Sequence, residues 1–173
     1  MLTFKTGDVT KAKEKGVQLL VHCVNSGFYF GSGVAVAINN HFAGSVEQYV
    51  NWGRKGYHFC DFRGEKIPAE LGEVQFVPYG NTIVCNCVGQ KRPGRKLLNN
   101  VLVKPVRLWA MKEAMVSVSD LAYSLKDDGD DVTIIGPEFC GLRAGADFQK
   151  DIVPIIKEVW AEHDVVIYQY EEK

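Results

Sequence analysis

Apolar and polar positions along this chain are grouped in blocks whose internal spacing changes from one block to the next. The run "VQLLVHCV" (17–24) is apolar almost throughout, the pattern of a strand buried on both faces of a parallel sheet. "VTIIG" (132–136) repeats it, and "DVVIYQY" (164–170) gives a final strand. "LTFKT" (2–6) reads as an edge strand, and "EVQFVPYGNTIVCNCV" (73–88) as two strands around the turn "YGN". Between the strands the apolar spacing becomes three and four. Val34, Ala37, Ile38 and Phe42 share one face of a helix over 33–42, and Ser45 caps a second over 45–52. Met111, Ala114, Met115, Val118, Leu121 and Leu125 form the buried stripe of a long helix that starts at Pro105, where a first-turn proline is favourable. Ile152, Ile155, Ile156, Val159 and Trp160 mark the last helix.

Three segments fit these patterns less simply. Asp147 has the look of an N-cap, yet Pro154 would then stand in the helix interior at a cost of about 3 kcal/mol. A start at Asp151 puts Pro154 in the first turn and leaves 147–150 as a separate tight turn. Residues 53–70 read as an irregular surface excursion with one strand-like stretch, and "GQKRPGRKLLNN" (89–100) as a basic loop. The alternation of strands and helices predicts one α/β domain over 1–173, a mixed central sheet with helices on both faces.

Composition adds exclusions. With 173 residues and 46% apolar content the chain can bury one full core. Its 20 basic and 21 acidic residues, net −1, give no support to a dedicated nucleic-acid or acidic-membrane binder. No apolar run approaches the ~20 residues of a membrane span. "MLTFKTGD" lacks the charged-then-apolar design of a signal peptide, so a cytoplasmic, non-membrane protein is expected. The five cysteines, an odd number, are expected to be free thiols. Cys85 and Cys87 would share one strand face as small buried residues. The alternative is a zinc site with His58 and Cys60, for which the ligand spacing is unusual.

Candidate chemistry lies in two loops. "VNSGFYFGSGVAVAI" (24–38) runs from strand through glycines to helix, the order in which chains build anion cradles. "GPEFCGLRAG" (136–145) follows another buried strand in the same way. Glycines let backbone N–H groups approach a phosphate, and two such loops at the carboxyl ends of strands would grip a pyrophosphate from both sides. After the first strand, "GDVT" (7–10) offers either a capping aspartate or a carboxylate that accepts from an adenine amino group.

The order "GDVT", "LLVHCVN…GSGVAVAI", "NCVGQ", "FCGLRAGADF" resembles the macro domain, a three-layer α/β module that recognises ADP-ribose, over nearly the whole chain (4–170). The resemblance is to the branch with the terminal ADP-ribose protein glycohydrolases and ADP-ribose-1″-phosphate phosphatases. It implies that Asp8 holds the adenine amino group beside the Val9 amide, with Tyr170 near the adenine ring. It implies that Asn25 meets the distal ribose. Gly31, Ser32, Gly33 and Val34 would form the first phosphate loop, and Cys140, Gly141, Leu142 and Arg143 the second. No cofactor or metal is implied.

The sequence also departs from the family pattern. The second loop carries one extra residue and ends in Phe148 in place of tryptophan. Gln90 or Lys91 stands where the glycohydrolases have a lysine, and Arg143 where they have its partner aspartate, a role open to Asp147. His22 matches a histidine of the phosphatase-like members. Three functions follow: hydrolysis of ADP-ribose from a modified target, removal of a 1″-phosphate, or non-catalytic reading of ADP-ribose. Any activity is expected to depend on His22, which for a phosphoryl substrate would donate a proton to the leaving ribosyl oxygen, and on Asp147, which would orient that imidazole or hold a water, more than on Lys91, which has no evident partner to activate it. The plainer readings are a core histidine at 22 and a helix-start residue at 147. The cluster Lys91, Arg92, Arg95, Lys96 reads as a solvated loop, or as a contact for the phosphate backbone of an ADP-ribosylated or nucleic-acid partner.

Overall fold

A computed structural model describes residues 1–28, 34–60, 64–91, 96–98, 101–141 and 144–170. In chain order the elements are β1 (Leu2–Thr6), β2 (Val17–Asn25), α1 (Val34–His41), α2 (Ser45–Lys55), β3 (Tyr57–Cys60), β4 (Glu65–Pro68), β5 (Val74–Tyr79) and β6 (Thr82–Gln90). Then come β7 (Lys96–Leu98), β8 (Val101–Val103), α3 (Leu108–Asp127), β9 (Val132–Pro137), α4 (Val153–Val159) and β10 (Asp164–Gln169). Six strands form the central sheet in the order β1-β10-β9-β2-β6-β5. The first five are parallel to one another, and β5 joins β6 as the antiparallel hairpin read from "YGN".

The alternation of side chains across the sheet explains the three layers. Leu20, Val84, Ile135 and Val166 pack with Val9 and with Ile38 of α1 on one face. Leu19, Val21, Ile83, Cys85, Cys87 and Ile134 belong to a larger core with the α3 stripe and with Ile152, Ile156 and Trp160. β2 and β9 are therefore covered on both faces, as their near-continuous apolar runs require. Cys85 and Cys87 are buried, and desolvation pushes both thiols well up. Among the described residues no group of three or more His, Cys, Asp or Glu is arranged to hold a metal ion, and no helix is long and apolar enough to cross a membrane.

Element ends differ from the sequence expectation where backbone is used elsewhere. The long helix starts at Leu108 rather than Pro105, because residues 105–107 pair with the end of β6. Lys91 N–H donates to the Pro105 carbonyl, Val106 bridges Gln90, and Arg107 N–H donates to Gly89. The Arg107 guanidinium then donates to the carbonyls of Lys104, Pro105 and Val106. The last helix starts at Val153, with Pro154 in its first turn. A separate wide turn, Phe148–Ile152, is capped by the Asp147 carboxylate, which accepts from Lys150 N–H at 3.1 Å. Two short hairpins, β3–β4 and β7–β8, stand where the sequence suggested irregular chain.

Candidate functional site

Because five neighbouring strands are parallel, their carboxyl ends share one rim. Asp8 follows β1, Tyr170 follows β10, Cys140 and Gly141 follow β9, Asn25 ends β2, and Lys91 follows β6. The central pair of strands opens at this rim. β2 pairs with β9 only from Val17↔Val132 to Leu20↔Ile135. Beyond that point β9 stays with β10 as far as Tyr168↔Pro137, while β2 stays with β6 as far as Asn25↔Gln90. The chain leaving β2 goes to α1 on one face, and the chain leaving β9 goes to α4 on the other. This is a topological switch point, where open α/β sheets form a crevice. Gly136 lies at the parting, where a Cβ would stand 2.9 Å from the Val21 carbonyl oxygen. No larger residue fits there without moving backbone.

Asp8 caps the short turn Val9–Lys11, its Oδ1 accepting from the Thr10 amide at 2.9 Å and the Thr10 hydroxyl at 2.7 Å. Desolvation opposes its ionisation, but the two Thr10 bonds, with Lys11 and His41 nearby, outweigh it and hold the carboxyl below its usual range. Both bonds use one oxygen, so capping leaves the other for a ligand. Val9 is buried, and Tyr170 is 79% exposed. Asn25 is buried at the end of β2. Its Oδ1 accepts from Gly27 N–H at 3.0 Å, and its carbonyl accepts from the Tyr49 hydroxyl at 2.7 Å. Phe28, at φ 56°, lies against Tyr49 and Trp52 of α2, with ring centroids 5.2 and 5.4 Å away. Val34 opens α1 and is partly exposed. Cys140 is buried at φ 66°, its carbonyl accepting from Ala146 N–H. A hydrogen bond with Cys23, then burial, pushes its thiol well up. Gly141 accepts from Ala144 N–H. Gly31, Ser32, Gly33, Leu142, Arg143, Arg92 and Arg95 lie outside the described residues.

His22 belongs to a buried polar row that crosses the sheet in register with Asn86 and Gln75. The Gln48 carbonyl, an acceptor only, fixes every orientation in that row. Gln75 Nε2 donates to it at 2.9 Å, so Gln75 Oε1 accepts from Asn86 Nδ2 at 2.9 Å. Asn86 Oδ1 then accepts from His22 Nε2–H at 2.5 Å. His22 is thus the Nε2–H tautomer with an accepting Nδ1. Burial lowers its pKa to about 4, against the opposing pull of Asn86. A neutral ring so arranged has an acceptor at Nδ1, and the donor role expected from the sequence would require Nδ1 to be protonated first. His58, the other end of the row, meets Gln75 Nε2 through Nδ1 at 3.3 Å.

Asp147 is exposed, and its carboxylate is engaged in the cap. Its own N–H donates to Asp151 Oδ2 at 2.8 Å. Lys91, expected in a loose loop, is held by its backbone on both sides: N–H to Pro105, and carbonyl to the Ser26 hydroxyl. Its side chain is exposed at the rim next to the first loop. Sequence reading overlooked Gln75, Asn86, Tyr49, Phe28 and Arg107. The signal for the first two was present, since each is an amide inside an otherwise apolar strand.

No family model matches the sequence, and no curated protein does. Solved structures do match. A Bacteroides thetaiotaomicron protein of unknown function superposes with a TM-score of 0.80 at 23% identity, over 98% of each chain. A macrodomain protein from Streptomyces coelicolor gives 0.72 at 22% identity over 100% of both chains. Thermosipho africanus DarTG in complex with ADP-ribose gives 0.65 at 17% identity, over 99% of this chain and 42% of that one. Six mixed strands between helical layers, with β2 and β9 parting at their carboxyl ends, are a macrodomain fold.

Proposed function

We propose that this chain recognises ADP-ribose in the crevice between β2 and β9. The observation that carries the reading is the parting of these two parallel strands, the one followed in sequence by α1 on one face and the other by α4 on the opposite face. The likeness in fold to a structure that holds ADP-ribose supports it. In this reading Asp8 Oδ2 accepts from the adenine amino group, the Val9 amide and the Tyr170 ring complete the base site, and Asn25 meets the distal ribose. Amides of Gly31, Ser32, Gly33 and Val34 on one side, and of Cys140, Gly141, Leu142 and Arg143 on the other, take the diphosphate. Asp8→Ala is expected to weaken ADP-ribose binding by roughly 1–3 kcal/mol. Unchanged affinity would remove adenine recognition from Asp8.

A second reading adds hydrolysis at the distal ribose 1″ position, of a 1″-phosphate or of an ADP-ribosylated protein. His22, three residues before Asn25 on β2, favours it. With Nε2–H committed to Asn86, His22 would act through Nδ1 as an acceptor for a water proton, and Asp147 would act by holding the second loop through its cap. Phosphate release from ADP-ribose-1″-phosphate, and ADP-ribose release from a modified protein, are measured for wild type and for alanine variants at 22, 91 and 147. Loss of turnover in His22→Ala with affinity kept supports the second reading. Loss confined to Lys91→Ala transfers the chemistry to Lys91, and no turnover with binding intact leaves a reader.

A further inference from the structure

We propose that the outer face of α3 is a docking surface for a basic amphipathic helix of a protein partner. Opposite the buried stripe, Trp109, Val116 and Tyr123 recur every seven residues and are 55%, 42% and 44% exposed. They mark an apolar line about 21 Å long on a face that a solvated helix keeps polar. Trp109 and Val116 carry most of it, since the Tyr123 ring also lies against His163 at 4.5 Å with Lys126 Nζ 5.7 Å from its centroid. Seven-residue spacing is what a second helix at a shallow crossing angle reads.

Charge selects the partner. Four residues after each apolar position stands a carboxylate: Glu113, Asp120 and Asp127. Among the described residues none of these three forms a salt bridge. The two lysines on the other flank are drawn toward the body of the protein. Lys112 pairs with Glu158 at 2.9 Å, and Lys126 bonds His163 Nδ1 at 2.7 Å and the Glu162 carbonyl at 3.2 Å. The helix also ends in Asp127 and Asp128, where the helix dipole disfavours negative charge. The helix dipole therefore does not account for Asp127, and among the described residues no ion pair accounts for Glu113 or Asp120. An antiparallel pairing of α3 with a second copy would set one acidic row against the other. A helix with an apolar stripe and flanking Lys or Arg satisfies both rows at once.

The test uses two labelled 21-residue peptides, each with Leu at a and d of three heptads, one with Lys and the other with Glu at e and g. Binding is read by peptide anisotropy and by tryptophan emission, which reports on this face because Trp52 and Trp160 are each 1% exposed and Trp109 is not. The Lys peptide is expected to bind with a blue shift, and the Glu peptide at least tenfold more weakly. Val116→Asp is expected to weaken the Lys peptide at least tenfold, although it adds a negative charge. Diffuse attraction to an acidic surface predicts the opposite change for that variant. Trp109→Lys, followed by anisotropy alone, gives the same readout should Val116→Asp not fold. The proposal is overturned if the Lys peptide does not bind, if both peptides bind alike, or if these variants leave binding unchanged. It is also overturned if sedimentation shows a dimer that Val116→Asp abolishes.

Discussion

In the proposed reading Asp8 uses one oxygen for the cap and the other for adenine, and a change of one atom separates the two roles. In Asp8→Asn the amide oxygen keeps both Thr10 bonds while the NH2 group replaces the oxygen offered to the ligand. We expect Asp8→Asn to unfold like wild type and yet to lose ADP-ribose affinity about as Asp8→Ala does, whereas Asp8→Ala also loses roughly 1 kcal/mol of stability with the cap. Thermal unfolding and calorimetry on the two variants check this, and an Asn variant that binds normally counts against a base contact at Asp8. His22 gives a pH prediction. Its folded pKa of about 4 lies below the ordinary 6.5, so the folded chain holds fewer protons than the unfolded one between those values. Its contribution is intact above pH 6.5 and is lost as pH falls from 6.5 through 4, by roughly 3 kcal/mol in full. His163, buried against Ser119 with Lys126 on its other nitrogen, is also lowered to about 4 by burial first and Lys126 next, and acts in the same direction. Urea unfolding between pH 7.5 and 4.5 is expected to show a shallower decline in His22→Gln than in wild type. Equal declines would contradict the neutral buried ring. The presence of His22 in a buried strand was legible from its neighbours. Its tautomer was not, because that is set by the Gln48 carbonyl, 26 residues away in sequence.

The elements that sequence located well are those with a strong local period: β2, β9, the β5–β6 hairpin and the α3 stripe. Each is specified by its own apolar spacing, so no distant contact is needed to read it. The β3–β4 and β7–β8 hairpins have no comparable signal, and β3 exposes Tyr57 and Phe59, so burial is not what shapes its outer side. The start of α3 was displaced by non-local bonds from β6, which no helix propensity encodes. The contact between the first loop and α2 is also non-local. Phe28 fits over Gly53, where a Cβ would stand 2.3 Å from the Phe28 ring. In isolation Gly53→Ala would favour α2 by about 1 kcal/mol. Here we expect net destabilisation of about 1–2 kcal/mol and weaker ADP-ribose binding, because the alanine methyl displaces Phe28 and with it the chain leading into the loop. A stabilised variant with normal affinity would show that this packing does not position the loop.

For the molecule as a whole, the strand order converts separate short motifs into one rim. "GDVT", the end of β2, the chain after β9 and Tyr170 are far apart in sequence and adjacent only because β1, β10, β9 and β2 run parallel side by side. Sequence therefore indicated, through the order of these stretches, the class of fold. The parting of β2 and β9 depends on where their ladder stops, a property of register that neither strand displays alone. The central claim is that this crevice holds ADP-ribose. Titration calorimetry of the wild-type chain with ADP-ribose tests it most directly. The account predicts saturable heat at one ligand per chain that adenosine alone does not reproduce, since the diphosphate loops contribute to binding. Absence of saturable heat with ADP-ribose, from folded protein, would contradict it.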